Sequence, residues 1–162
     1  MEAQAGQVYC LNGDLGVGKT VFTQGFAAGL GIQEPVNSPT FTIVQEYDDG
    51  RLPLYHFDVY RLGDMDEMDE IGYEDYFYGE GICLIEWSER IREILPEHPI
   101  QITIEKDLEK GFDYRKNFSK RAVAGDRRKE KMRILGIESA SLVASVAIVT
   151  DDVITAEYTV NL

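Results

Sequence analysis

Eight residues near the start of the chain, Gly13-Asp14-Leu15-Gly16-Val17-Gly18-Lys19-Thr20, follow the spacing G-x-x-x-x-G-K-[ST]. Glycines so placed let successive backbone N–H groups turn inward, and phosphate oxygens are the groups such a ring of donors fits. A helix beginning at the end of the motif adds its positive pole to the same anion. The backbone of Asp14, Leu15, Gly16, Val17 and Gly18 is therefore the candidate cradle. Lys19 would neutralise the β- and γ-phosphates, and the Thr20 hydroxyl would hold Mg²⁺. No Asn-Lys-x-Asp guanine-recognition motif occurs, which tilts the base toward adenine and the ligand toward ATP.

Such a site also needs a carboxylate at the end of a neighbouring strand to hold the metal directly or through water. Glu86, after the apolar run Ile82-Cys83-Leu84-Ile85, is one candidate. Asp58, inside His56-Phe57-Asp58-Val59-Tyr60-Arg61, is the other, and spacing alone leaves both open. Trp87 is the only tryptophan; core packing is its default role, nucleotide contact the alternative. His56 and His98 show no metal-ligand spacing, so structural roles are expected for both. The acidic run Asp64, Asp66, Glu67, Asp69, Glu70 lacks the Asp or Asn that a calcium loop needs where Met68 stands and the Gly it needs where Asp69 stands, and reads as a solvated helix face. Cys10 and Cys83 each sit in an apolar run and read as buried thiols, with no disulfide framework or zinc site.

The elements that would position these groups follow from local pattern. Val8-Tyr9-Cys10-Leu11 reads as a buried strand feeding the glycine-rich loop, and residues 20–30 as a helix capped by Gly31. Residues 41–47 and 54–60 are rich in aromatic and β-branched types around Asp48-Asp49-Gly50, which predicts a hairpin. Short helical turns are expected over 64–75 and a strand at 82–85. Ser88 is placed to cap a helix that Pro96 stops, and alternating Ile100, Ile102 and Ile104 predict a last strand. The fold class is α/β: a P-loop-type layered sheet, mainly parallel, with flanking helices.

The net charge of −13 is unevenly spread. Residues 1–105 carry 5 basic and 20 acidic groups, 106–133 carry 11 and 5, and 134–162 carry none and 4. These shifts divide the chain into a nucleotide-binding domain (1–105), a basic linker (106–131) and an incomplete C-terminal β segment (132–162), whose strands at 132–138, 143–149 and 153–160 turn at Asp151-Asp152. With 44% hydrophobic residues the chain is globular rather than disordered. No apolar run reaches the roughly 20 residues a membrane crossing takes. A cytoplasmic location is expected.

Taken together, the loop at 13–20, Asn37-Ser38-Pro39-Thr40-Phe41-Thr42, Leu54-Tyr55-His56-Phe57-Asp58-Val59-Tyr60-Arg61 and Ile85-Glu86-Trp87 closely resemble the TsaE family over residues 6–105. The resemblance implies an ATPase of the bacterial machinery that forms threonylcarbamoyladenosine next to the anticodon of tRNAs reading A-starting codons, working with TsaB and TsaD. It implies that Lys19 and Thr20 hold ATP and Mg²⁺, that Ser38 to Thr40 form a switch with Thr40 near the metal, and that Asp58, Glu86 and Trp87 are the family's functional aspartate, glutamate and tryptophan. It also implies a strand and helix ahead of the loop strand that this sequence lacks. Ile134-Leu135-Gly136-Ile137-Glu138-Ser139-Ala140, through Val149, resembles the opening strands of the TsaB family. Two other functions compete: a small-molecule P-loop kinase, for which residues 1–105 show no arginine-bearing lid, and a non-hydrolysing nucleotide-binding interaction module. In the linker, clustered Lys and Arg, including Arg127-Arg128-Lys129, read as a soluble tether, with contact to tRNA phosphates as the alternative.

Overall fold

The computed structural model describes residues 3–106 in full and, beyond them, the backbone of four strands between 114 and 161. Apolar side chains that alternate between two faces build the sheet. Strand β1 (Val8–Asn12) leads through the glycine-rich loop into helix α1 (Lys19–Leu30), and β2 (Val44–Tyr47) and β3 (Leu54–Asp58) form the hairpin. Two short helices, α2 (Asp66–Glu70) and α3 (Tyr73–Phe77), precede β4 (Ile82–Glu86). A 3₁₀ segment (Ser88–Ile94) precedes β5 (Ile100–Lys106). The sheet order is β2-β3-β4-β1-β5, continued by β6 (Tyr114–Arg121), β7 (Arg133–Ala140), β8 (Val143–Thr150) and β9 (Val153–Asn161).

β3, β4, β1 and β5 run parallel, whereas β2 and the strands from β6 onward pair antiparallel. Every residue of β4 is buried, as a central parallel strand covered on both faces requires. Ile82 and Leu84 face a core shared with Phe22, Ala27 and Leu30 of α1, while Cys83 and Ile85 face Met68, Phe77 and Ile91. α1 ends where Gly31 turns left-handed (φ 84°) and its N–H returns to the Ala28 carbonyl, 3.0 Å away.

Three local expectations change. Residues 41–43 are not strand: the Pro39 carbonyl accepts the N–H groups of Thr42 and Ile43 at 3.0 and 2.7 Å, a turn that leaves Ile43 at φ 66°. Ser88 does not cap an α-helix. Trp87 holds the cap position, the segment is 3₁₀ with a break at Ile91, and the Ser88 hydroxyl donates instead to Asn12 Oδ1 at 2.8 Å. The sheet also does not stop at β5, because β6 pairs with it along seven residue pairs from inside the stretch read as a linker. The remainder of that stretch and the turn at 151–152 lie outside the described residues, and among the described residues no helix is long and apolar enough to cross a membrane.

Both thiols are buried in the same core, where desolvation pushes Cys10 up to about 11 and Cys83 up to about 12. Thiolate is the reactive form. Ellman's reagent at pH 8 is therefore expected to modify neither cysteine in the folded chain and both in denaturant; fast titration of either without denaturant would contradict this core.

Candidate functional site

The carboxyl ends of the four parallel strands share one edge of the sheet, the edge where α/β folds bind ligands. Register puts Asp58 of β3 beside Glu86 of β4, and Glu86 beside Leu11 of β1. The glycine-rich loop leaves β1 at this edge. Gly13 must be glycine because its φ is 145° and a Cβ there would come within 2.3 Å of the Ile104 carbonyl on β5. Val17 is buried in the core and ties the loop down, whereas Asp14, Leu15 and Gly16 are exposed. A Cβ at Gly16 (φ 74°) would meet no heavy atom within 4 Å, so the loop is open on that side.

Gly18 occupies the N-cap of α1 and offers no capping side chain. The helix pole, carrying roughly half a positive charge, has no side-chain cap and no acidic residue in its own first turn. Lys19 lies across the opening: its Nζ donates to the Gly13 and Asp14 carbonyls at 2.7 and 2.9 Å and sits 3.6 Å from the centre of the Trp87 ring. Burial pushes its amine below the usual lysine value, and the negative charges of Glu86, Glu89, Asp58 and Asp14 oppose that shift.

Two hydroxyl–carboxylate clusters complete the edge. The Thr20 hydroxyl donates to Glu86 Oε1 at 3.0 Å, and His56 Nε2 lies 3.0 Å from the same oxygen. Asp58 Oδ2 accepts from Ser38 Oγ at 2.5 Å and Thr40 Oγ1 at 2.6 Å, and Oδ1 accepts the Tyr60 N–H at 3.0 Å. Asp58 and Glu86 are only 4% and 3% exposed. The backbone fixes Glu86 from both sides: its carbonyl accepts the Val59 N–H at 3.3 Å, and the N–H of the next residue, Trp87, reaches the Leu11 carbonyl at 3.1 Å. Trp87 is left-handed (φ 64°) and half-buried, with the Tyr60 ring 4.9 Å away. Such strain in a non-glycine residue costs about 1–3 kcal/mol and concentrates at functional positions.

Lys19, Thr20, Glu86 and Trp87 thus meet directly, and Asp58 gathers Ser38 and Thr40 on the adjoining strand. His56 belongs with them although its spacing predicted only a structural role. Its one sequence signal is a polar residue two places before Asp58, hence on the same face of an apolar strand. His98 is exposed, near Glu97 and away from this edge. No group of three or more His, Cys, Asp or Glu side chains among the described residues is arranged to hold a metal. An ion here would meet the Thr20 hydroxyl and the Glu86 carboxylate, which lie 3.0 Å apart. Both are hard oxygens, a set that suits Mg²⁺, which draws its other ligands from phosphates and water.

The family model described as threonylcarbamoyl adenosine biosynthesis protein TsaE matches residues 1–116. A Bacillus subtilis protein named tRNA threonylcarbamoyladenosine biosynthesis protein TsaE is 57% identical over 104 residues, covering 64% of this chain and 65% of its own length. Proteins of the same name from Treponema pallidum (48% over 101 residues, covering 62% and 74%) and Haemophilus influenzae (52% over 95 residues, covering 59% and 60%) are also similar. The chain therefore spans less than two thirds of the Bacillus and Haemophilus relatives. The crystal structure of Bacillus subtilis YdiB superimposes with a TM-score of 0.61 at 48% identity, covering 75% of this chain and 72% of that one.

The close approach at Gly13 has a measurable cost. Gly13→Ala is expected to lower unfolding stability by ~3 kcal/mol, through a clash with backbone that cannot move aside, and Gly16→Ala by only ~1 kcal/mol, through its positive φ alone. Urea denaturation of the two variants checks this, and equal losses would contradict the close approach.

Proposed function

Given that this chain belongs to the threonylcarbamoyl adenosine biosynthesis protein TsaE family, we propose that it binds ATP with Mg²⁺ and hydrolyses it within the machinery that forms threonylcarbamoyladenosine in tRNA, acting with TsaB and TsaD. The observation that carries this reading is the uncapped N-terminus of α1 behind the glycine-rich loop, with Lys19 and the Thr20–Glu86 pair at its mouth. Backbone N–H groups of the loop, from Asp14 to Thr20, bind the phosphates, and the Lys19 ammonium leaves the Gly13 and Asp14 carbonyls for the outer phosphate oxygens. Thr20 and Glu86 hold the metal, which when bound offsets charge on the phosphates. Trp87, packed under Lys19, borders the nucleotide. Asp58 holds Ser38 and Thr40, and release of Thr40 from that carboxylate is the movement that brings the switch toward the phosphates.

In this reading ATP drives a conformational or product-release step, and the chain does not touch the reacting base. Residues 132–162 form a TsaB-like segment, which is coherent because both proteins serve one pathway. The kinase alternative would need arginines over the phosphates. Of the four in residues 3–106, Arg51 donates to the Ala3 carbonyl and Arg90 to the Leu62 carbonyl, Arg61 stacks on Phe41, and Arg92 is exposed on the 3₁₀ segment.

ATP turnover with Mg²⁺, measured alone and with TsaB and TsaD added, tests the proposal. The expected outcome is slow turnover that rises with the partners and falls at least ~100-fold in Lys19→Ala. Tight ATP binding without stimulation would favour a non-hydrolysing module, and phosphate transfer to a small acceptor would favour the kinase.

A further inference from the structure

We propose that His56 is a positioning residue, whose imidazole fixes the Glu86 carboxylate for the Mg²⁺ that the reading above assigns to Thr20 and Glu86; the inference rests on that reading. His56 is 0% exposed on β3, paired with Leu84 across the sheet, and it reaches Glu86 diagonally. A carboxylate oxygen accepts and does not donate, so in this contact the proton sits on Nε2. Nδ1 is buried with no hydrogen-bond partner among the described residues, so a proton there would have nothing to bond. The geometry therefore selects the Nε2–H tautomer.

A leucine would fill this place in the core without leaving an orphan nitrogen, and buried polar atoms without partners are uncommon in folded proteins. What the imidazole supplies, and a hydrocarbon does not, is the N–H on Oε1. Two donors from different elements, Thr20 on α1 and His56 on β3, converge on that one oxygen. Together they hold the carboxylate at a set rotation. A Thr20 hydroxyl that gave a lone pair to a cation would have to reorient, whereas His56, set in β3, would hold its contact. Groups that orient a metal ligand in this way contribute about 10–100-fold to metal affinity or activity.

The test is ATP binding to the full chain by titration calorimetry across a series of MgCl2 concentrations, with parallel titrations in EDTA. His56→Leu is expected to raise the MgCl2 needed for half-maximal enhancement of ATP binding ~10-fold, while binding in EDTA stays within ~2-fold of the unsubstituted chain. His56→Gln, whose amide N–H extends to the position of Nε2, is expected to return the MgCl2 requirement to within ~3-fold. Should His56→Leu fail to fold, His56→Asn, whose shorter amide does not reach Oε1, takes its place against His56→Gln. Equal MgCl2 requirements in the unsubstituted chain and His56→Leu, or no advantage of Gln over Leu, would overturn the inference alone. If ATP binding by the unsubstituted chain ignores MgCl2, the metal assignment falls and the inference falls with it.

Discussion

A carboxylate held out of water at the end of a central strand sets the terms for the rest of this site. An unpaired buried charge costs several kcal/mol, so Glu86 can stand where it does only if donors converge on it. Thr20 reaches it because α1 begins at Lys19, and α1 begins there because the glycine-rich loop turns immediately after β1. Lys19 brings compensating charge nearby, and its own amine is held down by the same burial. Loop, helix start and strand end are therefore parts of one electrostatic arrangement.

The sheet supplies the coordinates. Parallel pairing of β3, β4 and β1 puts Asp58, Glu86 and Leu11 in one row, and the two backbone bonds from Val59 and Trp87 keep the chain from drifting after it leaves that row. Packing on both faces leaves β4 no freedom to shift. The second carboxylate, Asp58, gathers hydroxyls from a loop, and loops move at far lower cost than core strands. One edge thus joins a carboxylate bonded to the start of a helix and one bonded to a loop.

The strand–loop–helix unit around 8–31 was legible because glycine spacing, a buried apolar run and a C-terminal glycine all point to the same geometry. The acidic residues at the ends of β3 and β4 were legible as a pair, although their separate partners were not. Residues 41–43 look like strand by type, yet the Pro39 carbonyl captures two successive N–H groups and forces Ile43 into a conformation that β-branched residues avoid. Ser88 has the identity of a cap, but Asn12, 76 positions away in sequence, takes its hydroxyl. β6 was hidden by its charge: strand pairing is a backbone matter, and a sequence such as Tyr114-Arg115-Lys116-Asn117 carries no apolar signal to announce it. The contact of His56 was hidden for the opposite reason, because a histidine inside an apolar run looks like core and nothing in the run shows that Glu86 lies beside it.

The stacking of Lys19 over Trp87 gives the molecule an optical property. With a single tryptophan in the chain, ultraviolet emission excited at the red edge comes from one indole, and that indole lies 3.6 Å beneath the ammonium that the Gly13 and Asp14 carbonyls hold. A cation over the ring perturbs its excited state, and the Tyr60 ring lies 4.9 Å from it. The colour and intensity of the chain's own fluorescence are therefore tied to the position of one lysine, so the site carries its own reporter without any added dye.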